Sequence, residues 1–397
     1  RQTTVRQLST LIGKLTTSVQ SILPSCLHYR QIQVSQIKAL LQSSSYDASI
    51  LLDQNCLREL RWWVDNLSLC NGKALIVPPP EMTIRTDASQ KGWGAVSGET
   101  RVSGIWTQEE SHLHINALEL KAMYLAVRSL VSHQTHVHIL SDNWTAVTYL
   151  MKMGGTSSPV LLQVATELWQ YCLGRGIIPT AEYLPGILNV EADWESRHWQ
   201  DSSDWKLDEN VFQSIMQLRG PCSVDLFASR HNAQLKKYVS WKLDPFAWKI
   251  DAFQVTWNQL TGYMFPPFSL ISRCLAKIKS EQATAVLIAP VWQGQPWYPV
   301  LLEMSVELPV LLPTLHNLLL SPWGENHPLI EQGSLMLAAW KVSGRNSVIQ
   351  EFRIGLQTFC ASPDDQALEK LTSRPGHSGV AGAVGNRLIP FSPLWQI

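Results

Sequence analysis

The chain has 397 residues, of which 45% are hydrophobic and 16% are charged. It is too long for one ordinary core, so we expect two or three domains, and its composition excludes a highly charged, disordered chain. The 32 Lys and Arg residues balance the 32 Asp and Glu residues. A net charge of zero gives no sign of a dedicated nucleic-acid-binding protein, but it is compatible with a hydrolase that gathers its acids in one site. We interpret the 17 Trp residues as large core side chains, and the alternative is that some are stacking platforms for nucleobases.

Cysteine content and apolar segments bear on the cellular compartment. The seven Cys residues are odd in number and form no C-x-x-C pair, so neither a zinc site nor a disulfide framework is indicated. We therefore expect an intracellular protein, of the cytoplasm or nucleus. No signal peptide is recognisable, and charges and prolines interrupt the apolar stretch 300–320, so no membrane contact is expected. The first residue is Arg and not Met, so we expect a fragment of a longer protein.

Residues 1–78 are predicted to be a helical segment. Apolar residues recur with a period close to 3.6 in two runs, 8–15 and 57–67. An Asn-Gly pair at 71–72 ends this block. Three consecutive prolines at 78–80 then form a stiff separator that neither a helix nor a central strand accommodates.

Residues 79–205 alternate between strand and helix patterns and are predicted to form one α/β domain with a mixed sheet. Three short β-rich runs come first, and Gly98 joins the last two as a hairpin. A strong amphipathic helix follows them. The predicted order is βββ-α-β-α-α-β-α, with elements near 83–87, 92–97, 101–107, 115–131, 136–140, 143 onward, 159–173, 177–184 and 190–197.

Four acidic residues stand near the ends of these predicted elements. Asp87 ends the first strand and Asp142 the fourth, whereas Glu119 and Asp193 lie in the first turns of two helices. A right-handed crossover would make the two strands neighbours, so we expect Asp87, Glu119 and Asp142 within the roughly 8 Å that two bridging ions span. Crowded carboxylates repel each other unless divalent cations neutralise them, and hard oxygen ligands are those that Mg²⁺ selects. Each acid alone is more often a cap or turn residue.

Five short motifs are spread over about 120 residues: TDAS at 86–89 with GWGA at 92–95, NALELKA at 116–122, SDN at 141–143, LPGILN at 184–189, and AD at 192–193 with SR at 196–197. They resemble the successive motifs of retroelement ribonuclease H domains. The resemblance implies a ribonuclease H-like fold, hydrolysis of the RNA strand of RNA–DNA hybrids, and two Mg²⁺ or Mn²⁺ ions bound by the four acids. It also implies that the polar side chains of Ser89, Asn116 and Asn143 contact the hybrid.

One loop departs from the cellular members of this family, which carry a His before the fourth acid. Here that loop reads Tyr183-Leu184-Pro185-Gly186, and His198 comes too late in the sequence to be equivalent. Retroelement members often lack this His, so we expect slower product release and no loss of activity.

The segment before this domain resembles part of a particular class of retroelement. LSTLIGKL at 8–15, with LP at 23–24 and HYR at 28–30, is similar to the segment that joins polymerase to ribonuclease H in tyrosine-recombinase (DIRS-type) retrotransposons. This resemblance implies an upstream reverse transcriptase polymerase domain as a partner. The sequence itself contains no Tyr-x-Asp-Asp motif, so we expect no polymerase active site in this chain.

Residues 215–343 resemble the methyltransferase-like α/β region that follows ribonuclease H in those elements. VDLFAS at 224–229 is similar to the first strand and turn of a cofactor-binding fold, and FPPF at 265–268 to the catalytic loop of N6-adenine methyltransferases. Both motifs are degenerate, because the turn lacks the glycines that let a cofactor approach and Phe265 replaces an acid or amide. We expect a structural or nucleic-acid-docking remnant with no measurable transfer of methyl groups. Residues 344–397, rich in Ser, Gly and Pro, are predicted to be a flexible tail or truncated linker.

Two functions from different classes are compatible with these observations. The first is an active metal-dependent ribonuclease H that forms part of a retrotransposon reverse transcriptase. The second is a decayed or domesticated retroelement fragment that only binds nucleic acid or a partner. The presence of all four acids favours the first, whereas the missing polymerase and recombinase leave room for the second.

Overall fold

The structure is a computed structural model that describes residues 2–70, 72–74, 76–198, 204–356 and 379–394. The chain divides into two compact units, residues 1–199 and residues 200–397. The first unit therefore includes both the predicted helical segment and most of the predicted α/β domain. Within the described ranges, no helix is long and apolar enough to cross a membrane.

The N-terminal part of the first unit is mainly helical. Its elements are β1 (Gln2–Thr4), α1 (Val5–Thr17), α2 (Arg30–Ser43), β2 (Ser49–Leu51) and α3 (Gln54–Asn66). Thr4 begins α1 in a capping box with Gln7, and Asp53 caps α3. The helices bury a small apolar core around Val5 and Ile32. The sequence did not predict the antiparallel pair β1–β2, because three residues are too few to show a period of two.

The rest of the first unit is a mixed α/β fold. Its elements are β3 (Met82–Ala88), β4 (Gly92–Ser97), β5 (Thr100–Ile105), α4 (Ile115–Leu130), β6 (His136–Ser141), α5 (Trp144–Met151), α6 (Pro159–Leu173), β7 (Ile178–Tyr183) and α7 (Val190–Arg197). The five strands lie in the order β5-β4-β3-β6-β7, antiparallel from β5 to β3 and parallel from β3 to β7. A mixed sheet with these helices is consistent with the ribonuclease H-like fold that the sequence resemblance implies.

Two local features place the elements of this sheet. Gly98 has a φ of +57° in the turn between β4 and β5, a conformation that glycine adopts without steric cost. Helix α4 contacts β3 and β4, and every residue from Ala117 to Val127 except Lys121 is buried. It therefore packs on the sheet over the central strand β3 and its antiparallel neighbour β4.

The second unit is also α/β. Its elements are β8 (Lys206–Leu207), α8 (Glu209–Arg219), β9 (Val224–Asp225), β10 (Val239–Ser240), β11 (Lys249–Ile250), β12 (Thr261–Met264), α9 (Ile271–Ser280), β13 (Thr284–Pro290), α10 (Trp297–Met304), β14 (Val310–Leu311), β15 (Leu319–Leu320), α11 (Pro328–Glu331), β16 (Leu337–Ser343), α12 (Asn346–Ile354), β17 (Val380–Val384), β18 (Arg387–Pro390) and β19 (Ser392–Pro393). Six strands form its main sheet, in the order β19-β14-β16-β13-β12-β9. Successive residues of β13 enter two different apolar clusters, so both faces of the sheet are covered. The methyltransferase resemblance of this unit stays a prediction.

The predicted flexible tail beyond residue 344 is wrong for the described residues. Helix α12 follows directly, β17 and β18 form an antiparallel hairpin, and β19 pairs with β14. Ala381, Ile389 and Phe391 are buried in the core of the second unit. A composition of small residues also suits a tightly packed hairpin, since a Cβ on Gly382 would meet the Leu302 side chain. The part of this prediction that covers residues 357–378 and 395–397 lies outside the described residues.

Candidate metal centre

Three of the four predicted acids converge where the neighbouring strands β3 and β6 end in the first unit's sheet. Asp87 lies near the end of β3, and Asp142 directly follows the neighbouring parallel strand β6. Glu119 is a buried residue of α4, which packs on β3. One ligand atom from each of these residues lies within 4.8 Å of the others. The expected proximity of the three carboxylates is therefore confirmed.

Burial and mutual repulsion disfavour the charged forms of these acids. Asp87 and Glu119 are each only 4% exposed. Burial and, more weakly, the charge of Asp142 raise the pKa of Asp87 to about 6, although a hydrogen bond from Ser196 opposes the rise. Burial, followed by the charges of Asp87 and Asp142, raises the pKa of Glu119 to about 9. Burial also raises the pKa of Asp142. The three groups cannot all be ionised at neutral pH without another source of positive charge.

The donor set fits a hard divalent cation. Oε2 of Glu119 is buried and has no hydrogen-bond partner among the described residues, which costs about 1–3 kcal/mol for a neutral group and more for a charged one. A cation bound here would satisfy this oxygen and relieve the repulsion among the three carboxylates. Carboxylate oxygens are the ligands that Mg²⁺ and Mn²⁺ prefer. The observed residues therefore match the group that the sequence predicts.

Helix α7 supports the strand that carries Asp87. Ser196 Oγ donates a hydrogen bond of 2.6 Å to Asp87 Oδ2, and Asn189 Nδ2 donates one of 2.9 Å to Thr86 O. The helix approaches closely at Gly94, where a Cβ would lie 2.5 Å from Ser196 N. The sequence motifs contain these residues, but we predicted no role for them. A glycine inside a strand was the available signal, because it often marks a close backbone approach.

The fourth predicted acid, Asp193, is not part of the group of three. Its Oδ1 accepts hydrogen bonds from Arg197 Nη2 at 2.7 Å and from Arg197 Nε at 2.8 Å. The pair nevertheless lies near the cluster, because the charge of Asp193 raises the pKa of Asp87 and of Asp142 while Arg197 lowers both. A metal-ligating role for Asp193 would require it to exchange Arg197 for a cation.

The three predicted nucleic-acid contacts have different surroundings. Asn143 Nδ2 donates to Asn116 Oδ1 at 2.9 Å, so these two half-buried amides form a pair, and Asn143 directly follows Asp142 in the chain. Asn143 also caps α5. Ser89 is instead part of the turn between β3 and β4, where its Oγ donates to Ser196 O at 2.7 Å and accepts from Gly92 N at 3.1 Å. All three contacts with a hybrid stay predictions.

The loop that follows β7 passes beside Asp142. A Cβ on Gly186 would lie 2.9 Å from Asp142 Oδ2, so glycine leaves this carboxylate room to move and to bind. His198, the nearest His in the sequence, stacks on Trp194 with ring centroids 3.5 Å apart. It lies directly after α7 and does not belong to this loop.

Comparison with known proteins gives only remote structural similarity. No protein-family model matches the chain, and no curated protein does. Ribonuclease H1 from the archaeon Halobacterium salinarum is similar with 16% identity and a TM-score of 0.24, over 29% of this chain and 92% of that chain. The protease-reverse transcriptase of prototype foamy virus is similar with 13% identity and a TM-score of 0.19, over 46% of this chain and 25% of that chain. TM-scores this low carry no functional argument, so function has to be inferred from the site itself.

Proposed function

We propose that the α/β part of the first unit is a metal-dependent nuclease that hydrolyses the RNA strand of RNA–DNA hybrids. The observation that carries the proposal is the convergence of three carboxylates, two of them buried, one with an unsatisfied oxygen. Such an arrangement is unfavourable in isolation and becomes favourable when divalent cations bind.

Two Mg²⁺ or Mn²⁺ ions would be held by the carboxylates of Asp87, Glu119 and Asp142, with Asp193 as a further ligand. Bound ions of this kind activate water and stabilise the leaving oxygen in phosphodiester hydrolysis. Ser196 acts as a positioning residue, since its hydroxyl fixes one oxygen of Asp87 at 2.6 Å.

The paired amides of Asn116 and Asn143 are proposed to recognise the RNA strand. Asn143 directly follows Asp142 in the chain, and the hydrogen bond between the two amides couples their orientations. The 2′-hydroxyl distinguishes RNA from DNA in the shallow minor groove, and it both donates and accepts hydrogen bonds. Amide side chains have matching donors and acceptors.

We further propose that the chain is part of a DIRS-type retrotransposon reverse transcriptase, with an upstream polymerase domain as its partner. The motifs in the N-terminal segment and the order of the segments support this assignment. In that case residues 1–78 are the connection between polymerase and nuclease, and residues 215–343 are a degenerate methyltransferase-like domain.

Cleavage of a labelled RNA–DNA hybrid by the full chain tests the nuclease proposal. We expect the RNA strand alone to be cut, in Mg²⁺ or Mn²⁺ and not in EDTA or Ca²⁺, whose looser coordination misplaces the attacking water. Asp142→Asn should lower the rate by orders of magnitude, since each tenfold loss corresponds to only about 1.4 kcal/mol. Asp65→Asn, an exposed acid on α3, is the matched control and should leave the rate unchanged. A folded chain that binds the hybrid without metal-dependent cleavage would favour the binding-remnant alternative.

A further inference from the structure

The loop that connects β10 to β11 in the second unit, residues 241–248, carries three exposed aromatic side chains. Trp241 is 64% exposed, Phe246 is 41% exposed and Trp248 is 40% exposed. Single exposed apolar residues are normal on protein surfaces, but three large rings within eight residues are unusual. We call residues 241–248 the aromatic loop.

Hydrogen bonds hold the aromatic loop at both ends and in its middle. Strands β10 and β11 pair in parallel, and Trp248 N donates to Tyr238 O at 2.8 Å. Within the loop, Asp244 accepts hydrogen bonds from the Tyr238 hydroxyl at 2.6 Å and from Phe246 N at 2.9 Å. A loop that is already ordered loses less conformational entropy when it binds a partner.

Positive charges accompany each of the three rings. Residues 230–249 contain five Lys or Arg residues and one Asp, which gives this segment a net charge of +4 in a chain whose net charge is zero. The one acid, Asp244, is engaged in the hydrogen bonds described above. The cations lie over the rings in three pairs: Lys237 Nζ is 3.7 Å from the Trp248 centroid, Lys242 Nζ is 5.2 Å from that of Trp241, and Arg230 Cζ is 5.5 Å from that of Phe246.

A cavity adjoins the aromatic loop. Its volume is 310 Å³, and its lining includes the rings of Trp241, Phe227, Phe253 and Phe265 together with the charged residues Asp204, Asp251 and Arg273. It is therefore within the size range of small-ligand pockets, which are about 300–1,000 Å³. The aromatic side chains in its lining can accept a planar ring, such as a base that enters the cavity beside Trp241.

We propose that the aromatic loop binds single-stranded DNA. Every base has a flat face that stacks on an aromatic side chain, and positive charges that follow the rings match the phosphates between the bases. In a duplex the bases are already stacked on one another, so a single strand is the form that fits. The choice of DNA over RNA rests on the proposed function, because hydrolysis of the RNA strand of a hybrid leaves single-stranded DNA.

Fluorescence anisotropy with a labelled oligo(dT), measured with the full chain in EDTA, tests the stacking part of the proposal. Trp248→Ala should weaken binding roughly five- to a hundredfold, the effect of losing one stacked base, and Trp248→Phe should retain most of it. Trp323→Ala is the matched control, since Trp323 is 54% exposed in the same unit and lies outside the loop. Equal affinities of the Trp248→Ala and Trp323→Ala proteins would overturn the proposal, provided that both melt like the wild type.

Salt dependence tests the role of the charges. Lys237→Gln combined with Lys249→Gln should reduce the slope of log affinity against log salt by about 1.4, because each phosphate contact on a single strand contributes about 0.7. The control pair, Lys206→Gln with Lys279→Gln, should leave the slope unchanged. Preference for duplex DNA, for RNA of the same sequence or for anionic vesicles would overturn the assignment. Binding is measured here without metal, so a failure of the cleavage assay leaves this result standing, and the reverse holds as well.

Discussion

Replacement of Glu119 by Gln should stabilise the metal-free protein at neutral pH. The unfolded chain ionises this residue near pH 4.5, whereas burial and the neighbouring carboxylates raise its pKa to about 9 in the folded state. The folded state thus binds the proton more tightly than the unfolded chain does. The contribution of this proton to the free energy of unfolding is complete below pH 4.5 and is lost as the pH rises toward 9. Each pH unit between these two values lowers the free energy of unfolding by about 1.4 kcal/mol. At pH 7 the loss is about 3 kcal/mol, and a neutral Gln of the same shape avoids it.

Hydrogen exchange of α4 peptides in EDTA measures this difference locally in the first unit. The Gln variant should be more stable than the wild type by about 3 kcal/mol at pH 7 and by only about 1 kcal/mol near pH 5.5. Millimolar Mg²⁺ should favour the wild type instead, because only the carboxylate holds the cation. Glu99→Gln, at an exposed hairpin position, is the control. A difference that does not change with pH, or a wild type that is the more stable protein at pH 8 in EDTA, would refute the reasoning.

Three further substitutions test the support around the cluster. Gly94→Ala should lower the free energy of unfolding by about 1–3 kcal/mol in urea titrations, because the new methyl group forces α7 away from β4; unchanged stability would contradict the close approach. Ser196→Ala removes the hydrogen bond that lowers the pKa of Asp87, so the acidic limb of the cleavage profile should move to higher pH, and an unmoved limb would argue against this role. Arg197→Met should release Asp193 and tighten Mn²⁺ binding in calorimetry, whereas equal or weaker binding would show that the ion pair does not compete with metal.

The three convergent acids were predictable because each depends on local pattern and general chirality. Asp87 and Asp142 follow short β-rich runs, and the right-handed crossover makes such strands parallel neighbours. Glu119 lies on the buried stripe of an amphipathic helix, which turns it toward the sheet. Those rules need only the sequence of each element, and the structure has the carboxylates within 4.8 Å.

Features that depend on which partner a group pairs with were not predictable. Asp193 belongs to a recognisable motif, but its pairing with Arg197 one helical turn away decides where its carboxylate lies. The segment beyond residue 344 has the composition of a linker, yet pairing of β19 with β14 gives it a defined place. The expected lack of methyl transfer in the second unit stays a prediction, and a micromolar dissociation constant for S-adenosylmethionine in calorimetry, about 8 kcal/mol, would argue against it.

Two cations that lie close to the acids in the sequence are each paired with a carboxylate outside the group of three, which argues that an external cation completes the site. Arg197 pairs with Asp193, and Lys121, two residues from Glu119, pairs with Glu110 at 3.0 Å. A purely structural cluster would be expected to use such side chains to neutralise its own charge. Divalent cations should therefore stabilise the first unit before any substrate binds, by about 2.7 kcal/mol when their concentration is a hundredfold above the dissociation constant. Thermal unfolding in EDTA and in Mg²⁺ or Mn²⁺ measures this gain, and Asp142→Asn should abolish most of it. If the wild-type melting temperature is the same in all three solutions, the three carboxylates are a structural feature and the nuclease proposal loses its main support.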